Sequence, residues 1–161
     1  MDLKRIGKVV NTFGIAGVLK IYTTTNKIDE RFKKGKEVII NNNKYIINSF
    51  SHKSFNCILL KLEGVTNINE VQDLVNKDVF QDIVLEDGEF FLDDIIGMDV
   101  YSIDDKLLGV VNDYREINDI YYFVIENKLV PYIKNRFVEK IDFKDKRVIL
   151  TQLGEETLLW K

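Results

Sequence analysis

The sequence is poor in the residue types that build most catalytic and metal centres. Its 161 residues include one cysteine, Cys57, and one histidine, His52. A cysteine–histidine zinc site needs four ligands, and a nucleophile–histidine–acid arrangement would depend on His52 alone. The polar stretch 51–54 predicts that His52 lies at an exposed hairpin tip, while Cys57 is expected to be buried in a strand. A single cysteine excludes an internal disulfide and favours a reducing compartment, the cytoplasm.

Long apolar runs and nucleotide-binding motifs are absent too. No stretch approaches the roughly 18 apolar residues of a membrane span, and the N-terminus lacks the apolar core of a secretory signal. Gly14 and Gly17 fit neither the phosphate loop nor the dinucleotide pattern, and the residues after them predict a strand. The adjacent acids Asp93–Asp94 would point to opposite faces of a strand, so they do not form a catalytic pair. We therefore predict a binding protein that is not an enzyme, with no cofactor, no metal and no membrane segment.

Charge is distributed unevenly along the chain, whose net charge is −3. Residues 1–85 hold 13 Lys and Arg against 9 Asp and Glu, whereas residues 86–161 hold 10 against 17. The balances of +4 and −7 predict two halves that face different partners. The alternative is a solvated surface whose charge merely varies along the chain.

The spacing of apolar residues predicts a mostly β protein with two small antiparallel barrel or sandwich domains. In the first half, strands and hairpins surround one short helix near residues 67–75, capped by Thr66 or Asn67. In the second half, strands recur at short intervals with charged turns between them. The polar residues 86–89 predict a linker, so we assign residues 1–85 to a first domain and residues 90–161 to a second.

One segment near the N-terminus resembles a known family. Residues 6–22, IGKVVNTFGIAGVLKIY, are similar to the opening strand–loop–strand of the RimM family of ribosome maturation factors. The match falls on five residues: Gly7, Asn11, Thr12, Gly14 and Gly17. Phe13 stands where the family usually has histidine, and Ala16 stands where a basic residue is common, so any contact made by those two family residues is altered here.

A second segment, residues 88–101, resembles the start of the C-terminal PRC-barrel of the same family. The matching residues are Glu89, Phe90, Phe91, Asp94, Ile95, Ile96 and Gly97. The family's aromatic pair is usually tyrosine, so Phe90 and Phe91 lack the hydroxyls. Weaker matches follow in order from residue 108 to residue 142, including Asn118–Asp119, so the resemblance covers nearly the whole chain.

The resemblance implies a non-enzymatic assembly factor for the small (30S) ribosomal subunit. Its first domain is expected to be a six-stranded, translation-factor-like β-barrel, followed by the PRC-barrel. The family binds the small-subunit ribosomal protein number nineteen and associates with the immature subunit head while 16S rRNA matures. The chain is expected to be a cytoplasmic monomer, and its acidic second domain is expected to meet that basic protein.

The resemblance also indicates where contacts are expected. Phe90, Phe91 and Asp94 are the predicted partner-binding residues, with core packing as the alternative for the two phenylalanines. Asn11 and Thr12 belong to the motif loop, and the three glycines Gly14, Gly17 and Gly97 are expected to meet backbone requirements rather than to touch a partner.

The sequence is compatible with two other functions. The first is direct RNA binding through the basic first barrel, because lysines supply phosphate affinity and aromatic rings can stack bases. The aromatic residues in that half are Tyr22, Phe32, Tyr45, Phe50 and Phe55. The second is a small-molecule or electron-transfer accessory role, since PRC-barrels also occur outside ribosome biology.

Overall fold

The structure, a computed structural model, describes residues 2–54, 56–118 and 120–159. The chain divides into two compact units, Met1–Phe91 and Leu92–Lys161. Phe55, one of the aromatic residues considered for base stacking, and Asp119 of the weaker family matches lie outside the described residues. No helix in the described part of the chain is long and apolar enough to cross a membrane.

The first unit is a closed six-stranded barrel. Its elements are β1 (Leu3–Phe13), β2 (Val18–Thr23), α1 (Ile28–Arg31), β3 (Glu37–Ile40), β4 (Asn43–Ser54), β5 (Cys57–Leu62) and β6 (Asp78–Asp82). The strands pair in the order β1-β2-β5-β4-β3-β6, and every pair is antiparallel. The predicted fold class, mostly β with two β domains, is confirmed, and the first domain has the expected six strands.

Side chains alternate between the two faces of each strand, and those that face inward fill the barrel. Leu19 lies opposite Leu60, and Ile21 lies opposite Ile58; all four side chains are fully buried. Lys20, between Leu19 and Ile21, points outward, as alternation along a strand requires. The buried side chains form one continuous core in this unit.

The predicted helix at residues 67–75 forms as two 3₁₀ turns, Ile68–Glu70 and Gln72–Leu74, rather than as one α-helix. Asn67 caps the first turn, as predicted, and its side chain accepts a hydrogen bond from the Asn69 N–H at 2.9 Å. The apolar residues recur every three positions, which is the 3₁₀ period. Val71, with φ of −129°, breaks the helical backbone between the turns.

The second unit is a six-stranded sheet with one terminal helix. Its elements are β7 (Asp99–Tyr101), β8 (Leu107–Ile117), β9 (Ile120–Ile125), β10 (Lys128–Pro131), β11 (Val138–Asp142), β12 (Arg147–Leu150) and α2 (Gln152–Thr157). The order is β10-β9-β8-β7-β12-β11. The pairing of β7 with β12 is parallel, which departs from the wholly antiparallel prediction. These strands are far apart in sequence, so no hairpin dictates their relative direction.

Two residues singled out in the sequence lie within strands of the first unit. Cys57 is buried in β5, as predicted. His52 lies near the end of β4 rather than in a turn, and its side chain is half exposed. Its Nε2 lies 2.9 Å from Asp29 Oδ1, so the ring contacts an acidic side chain of α1.

Candidate partner-binding sites

The glycine loop between β1 and β2 is held by close backbone packing. Gly14 and Gly17 have φ of 73° and 88°, in the left-handed region that favours glycine. A Cβ on Gly17 would lie 2.5 Å from Val65 Cγ1 and 3.0 Å from the Asn67 carbonyl oxygen. The Ile68 N–H also donates to the Ile15 carbonyl at 2.9 Å. These contacts fix the backbone conformation of the loop.

The neighbouring motif residues Asn11 and Thr12 lie at the end of β1. The Thr12 N–H donates to Asn11 Oδ1 at 2.9 Å. Two apolar side chains, Phe13 and Ile15, are 49% and 83% exposed on the same loop. Both side chains are therefore accessible to solvent at this end of the barrel.

A pair of alanine substitutions separates the two glycine roles. Gly17→Ala is expected to cost about 2–4 kcal/mol, because the left-handed conformation costs roughly 1–2 kcal/mol and the clash with Val65 adds to it. Gly14→Ala meets no atom within 4 Å, so only the conformational cost of about 1–2 kcal/mol is expected. Urea unfolding followed by circular dichroism measures both, and equal losses would contradict the packing argument.

The predicted linker, residues 86–89, packs on the first unit together with the two residues that follow it. We call residues 86–91 the docked segment. Asn26 holds it at three points: its side-chain NH₂ donates to the Gly88 carbonyl at 2.9 Å, its Oδ1 accepts from the Phe90 N–H at 2.7 Å, and its N–H donates to the Phe90 carbonyl at 3.2 Å. The segment is thus part of the first compact unit.

Glu89 anchors the docked segment through a buried ion pair with Arg31. Arg31 Nη2 lies 2.5 Å from Glu89 Oε1, and Arg31 Nε lies 2.9 Å from Oε2. The side chains are only 7% and 0% exposed, respectively. The Thr25 hydroxyl donates to Oε2 at 2.7 Å, and the Glu86 N–H donates to Oε1 at 3.1 Å. Every polar side of the buried carboxylate is therefore occupied, a requirement for a favourable buried charge.

The ion pair fixes the charge of both partners. Burial opposes ionisation of Glu89, but the hydrogen bonds from Arg31, the Glu86 N–H and Thr25 outweigh it, so the pKa of Glu89 lies below its usual value. The hydrogen bond to Glu89 raises the pKa of Arg31 against the effect of burial. The sequence resemblance included Glu89 but assigned it no role, and no local pattern marked Arg31 as its partner.

The two predicted partner phenylalanines differ sharply in exposure. Phe91 is 2% exposed and belongs to the core of the first unit, with Lys4 Nζ 5.2 Å from its ring centroid. Phe90 is half-buried. Phe91 therefore packs in the core, the alternative given above, and a partner contact by Phe91 stays a prediction. A partner contact by Phe90 stays a prediction.

Asp94 lies in the second unit, at the edge of an open pocket. Residues Leu92–Asp94 form a 3₁₀ turn, so the premise that the two acids lie on a strand was wrong. The Tyr114 hydroxyl donates to Asp93, while Asp94 is exposed. The pocket is lined by Asp94, Ile96, Gly97, Met98, Phe143 and Lys146. It combines apolar walls with one acidic side chain, Asp94, and one basic side chain, Lys146.

Gly97 meets a backbone requirement in the turn that follows, residues 95–97. Its φ is 93°, and its N–H donates to the Val111 carbonyl at 2.8 Å. A Cβ there would meet no atom within 4 Å. The left-handed backbone, rather than close packing, is what favours glycine at this position.

The charge contrast between the two units is smaller than the domain assignment predicted. The three acids of the docked segment, Glu86, Asp87 and Glu89, belong to the first unit. Residues 1–91 therefore carry +1, and residues 92–161 carry −4. The second unit is still the more acidic of the two. Because the first unit is nearly neutral overall, any basic surface on it must come from lysines and arginines grouped on one side.

The aromatic residues proposed to stack bases are mostly engaged in packing. Phe32 is fully buried, and Tyr45 and Phe50 pack against the barrel core. Across residues 2–54, 56–118 and 120–159, no three His, Cys, Asp or Glu side chains come together in a way that could hold a metal ion.

Comparison with known proteins covers both units. A family model described as RimM N-terminal domain matches residues 4–84, and one described as PRC-barrel domain matches residues 87–156. The protein named ribosome maturation factor RimM in Staphylococcus aureus strain MRSA252 is 35% identical over 162 residues, covering 92% of this chain and 95% of that protein. The protein of that name in strain JH9 is 34% identical over 161 residues, with the same coverage.

Two solved structures are also similar. A putative 16S ribosomal RNA processing protein RimM from Pseudomonas aeruginosa is 20% identical, with a TM-score of 0.47, covering 93% of this chain and 97% of that one. The N-terminal domain of RimM from Thermus thermophilus is 18% identical, with a TM-score of 0.42, covering 51% of this chain and 91% of that one.

Proposed function

The chain belongs to the RimM family of ribosome maturation factors, and from that membership we propose that it is a non-enzymatic assembly factor for the small (30S) ribosomal subunit. In this role it supports 16S rRNA maturation, and it acts in the cytoplasm as a monomer. It needs no cofactor, because it acts by binding to the immature subunit.

One observation carries the proposal. Both family models match in order on one chain, and the similarity to the Staphylococcus aureus relative covers 92% of this chain and 95% of that protein. A PRC-barrel alone would fit other roles. The preceding barrel with its glycine loop is the part that favours ribosome maturation over a small-molecule or electron-transfer accessory role.

A complementation experiment tests the cellular role. A bacterial strain lacking its own RimM is expected to accumulate unprocessed 16S rRNA, and expression of this chain is expected to restore the mature form. The Gly17→Ala variant, if folded poorly, provides an internal reference for loss of function through instability. A well-expressed, folded chain that leaves the precursor unprocessed would contradict the proposal.

The partner we propose for the second unit is the small-subunit ribosomal protein number nineteen. A basic protein is attracted to a unit of charge −4, which raises the association rate more than the final affinity. The pocket beside Asp94 adds a specific contact. A lysine or arginine side chain can lay its aliphatic stem against Ile96 and Phe143 while its charged end meets the Asp94 carboxylate.

Reversing the charge of Asp94 tests this contact. Asp94→Lys is expected to weaken binding of the purified ribosomal protein to the full chain about tenfold or more, because like charges facing each other across an interface cost several kcal/mol. Isothermal titration calorimetry measures the change. The exposed Asp94 lies outside the core, so the fold is expected to be retained.

Glu156→Lys is the matched control. It makes the same change in net charge at an exposed position of α2 in the same unit. A small effect for Glu156→Lys and a large one for Asp94→Lys supports a local contact. Equal effects would indicate attraction by net charge alone, and no binding by the native chain would contradict the choice of partner.

A further inference from the structure

Four adjacent strands of the first barrel hold no acidic residue. In the order β1-β2-β5-β4 these strands contain seven Lys and Arg and no Asp or Glu. Acidic residues reappear on the two remaining strands, with Glu37 on β3 and Asp78 and Asp82 on β6. The net charge of the first unit is small, yet the only charged residues on these four adjacent strands are lysine and arginine, apart from the histidine His52.

The strand register sets three of these lysines on one outward face. Lys8 lies opposite Tyr22, and after a bulge between Val9 and Asn11, Asn11 lies opposite Lys20. On the next strand Leu59 lies opposite Lys20, and Lys61 follows two residues later on the same side. Since strands lie about 5 Å apart, the lysines form a broad patch. We call Lys8, Lys20 and Lys61 the lysine face.

Two aromatic rings accompany the lysine face. Phe13 and Tyr22 alternate with inward residues and so share its side of the sheet. Phe13 is 49% exposed at the end of β1, and Lys20 Nζ lies 5.4 Å from the centroid of the Tyr22 ring. Both rings differ from Phe32, Tyr45 and Phe50, which pack against the core.

The boundary of the face is also defined. Lys8 lies opposite Asp78 of β6, where the acid-free strands end. Asp78 Oδ1 lies 3.2 Å from Arg5 Nε, so that carboxylate already has a cationic partner. On the opposite side, Glu37 of β3 contacts Lys44 of β4 and Asp29 of α1 contacts His52 of β4. The lysine face is therefore centred on β1, β2 and β5.

We propose that the lysine face binds the phosphate backbone of ribosomal RNA, with a base stacked on Phe13. This inference rests on the proposed function and assigns the RNA contact to one side of the first barrel. Phosphates match a face that carries several cations and no acid, and an exposed aromatic ring gives a platform for an unpaired base. Polar Ser49 and Ser51 continue the face on β4, opposite Lys61 and Leu59.

Salt dependence of RNA binding tests the lysines. The full chain is expected to bind a protein-free 16S rRNA transcript, with an affinity that falls steeply as salt rises. The triple variant K8Q/K20Q/K61Q is expected to lower the slope of log affinity against log salt by about 2 to 3, since each phosphate contact contributes about 0.7 to 0.9. Circular dichroism checks that the variant is folded.

The control variant is K33Q/K34Q/K36Q, which removes the same charge from exposed positions before β3. It is expected to change the slope by less than half as much. Equal slopes for the two triple variants would overturn the lysine face as the RNA contact. So would equal displacement of the RNA by poly-glutamate at matched charge, which would indicate an acidic protein as the partner.

Phe13→Ala tests the stacked base without changing charge. It is expected to weaken RNA binding about tenfold with an unaltered salt slope, whereas Ile15→Ala, on the same loop and 83% exposed, is expected to leave affinity unchanged. Equal effects of the two substitutions would overturn the stacking role of Phe13.

The inference and the proposed function fail separately. If native chain binds immature subunits but the lysine variant binds the transcript normally, the face is wrong and the assembly role stands. If the chain binds the transcript through the lysine face but does not associate with immature subunits, the RNA surface stands and the assembly role is wrong.

Discussion

Arg31→Met and Glu89→Leu are each expected to destabilise the first unit by about 3–5 kcal/mol. Either substitution leaves the other charge buried without its partner, which is costly in a low-dielectric interior. The two side chains are 7% and 0% exposed in the native chain. Urea unfolding measures the loss, and amide hydrogen exchange is expected to locate it in the strands of the barrel and in the docked segment.

The double variant Arg31→Met/Glu89→Leu is the matched control. Removing both charges together leaves neither unpaired, so its loss is expected to be much smaller than that of either single variant. Single losses below about 1 kcal/mol would contradict the view that this pair anchors residues 86–91 to the barrel.

The same ion pair gives the first unit a predictable response to acid. Because the pKa of Glu89 is lower in the folded chain than its ordinary value of 4.5, its contribution is fully present above that ordinary value and is lost as pH falls through the folded value. Native chain is therefore expected to lose stability below about pH 4.5. The acid-induced loss is expected to be smaller in the double variant.

Phe91→Ala is expected to cost about 3–5 kcal/mol, the usual range for removing a buried phenylalanine. Its ring is 2% exposed within the barrel core. Phe90→Ala, at a half-buried position, is expected to cost about half as much or less. Thermal and urea unfolding of the two full-length variants measure the difference.

Phe91→Leu separates packing from partner contact. It keeps an apolar side chain in the core and is expected to cost less than Phe91→Ala, with binding to immature subunits unchanged. A stable Phe91→Leu chain that no longer binds the subunit would restore a contact role to Phe91 and contradict the core assignment.

Features that depend on neighbouring residues could be predicted from the sequence. The alternation around Lys20 gives β2 its two faces, and the asparagines at 41 and 42, with φ of 53° and 65°, form the expected hairpin turn. The left-handed backbone at Gly14 and Gly17 also follows from local pattern, because few other residues tolerate it. Local propensity and tertiary packing agree at these positions.

Features that depend on distant residues could not be predicted. Arg31 and Glu89 are 58 positions apart, and neither has a local signal that identifies its partner. The polar residues 86–89 predict a linker, but the buried guanidinium of Arg31 makes a buried position favourable for Glu89. The parallel pairing of β7 with β12 is likewise set by tertiary arrangement, not by a hairpin.

The candidate sites also combine features that the sequence predicts with features that only the structure shows. The resemblance led to Asp94, which lies exposed at an open pocket, and to Phe91, whose burial only the structure reveals. The sequence alone did not predict the lysine face, because its three lysines come from three different strands. Register across β1, β2 and β5 brings them to one side.

Co-sedimentation of the full chain with purified small subunits tests the assembly role most directly. Immature subunits, taken from cells in which 16S rRNA processing is incomplete, are compared with mature subunits at the same concentration and salt. The chain is expected to sediment with the immature particles and to remain in solution with the mature ones. Association with neither particle, or equal association with both, would contradict a role in small-subunit assembly.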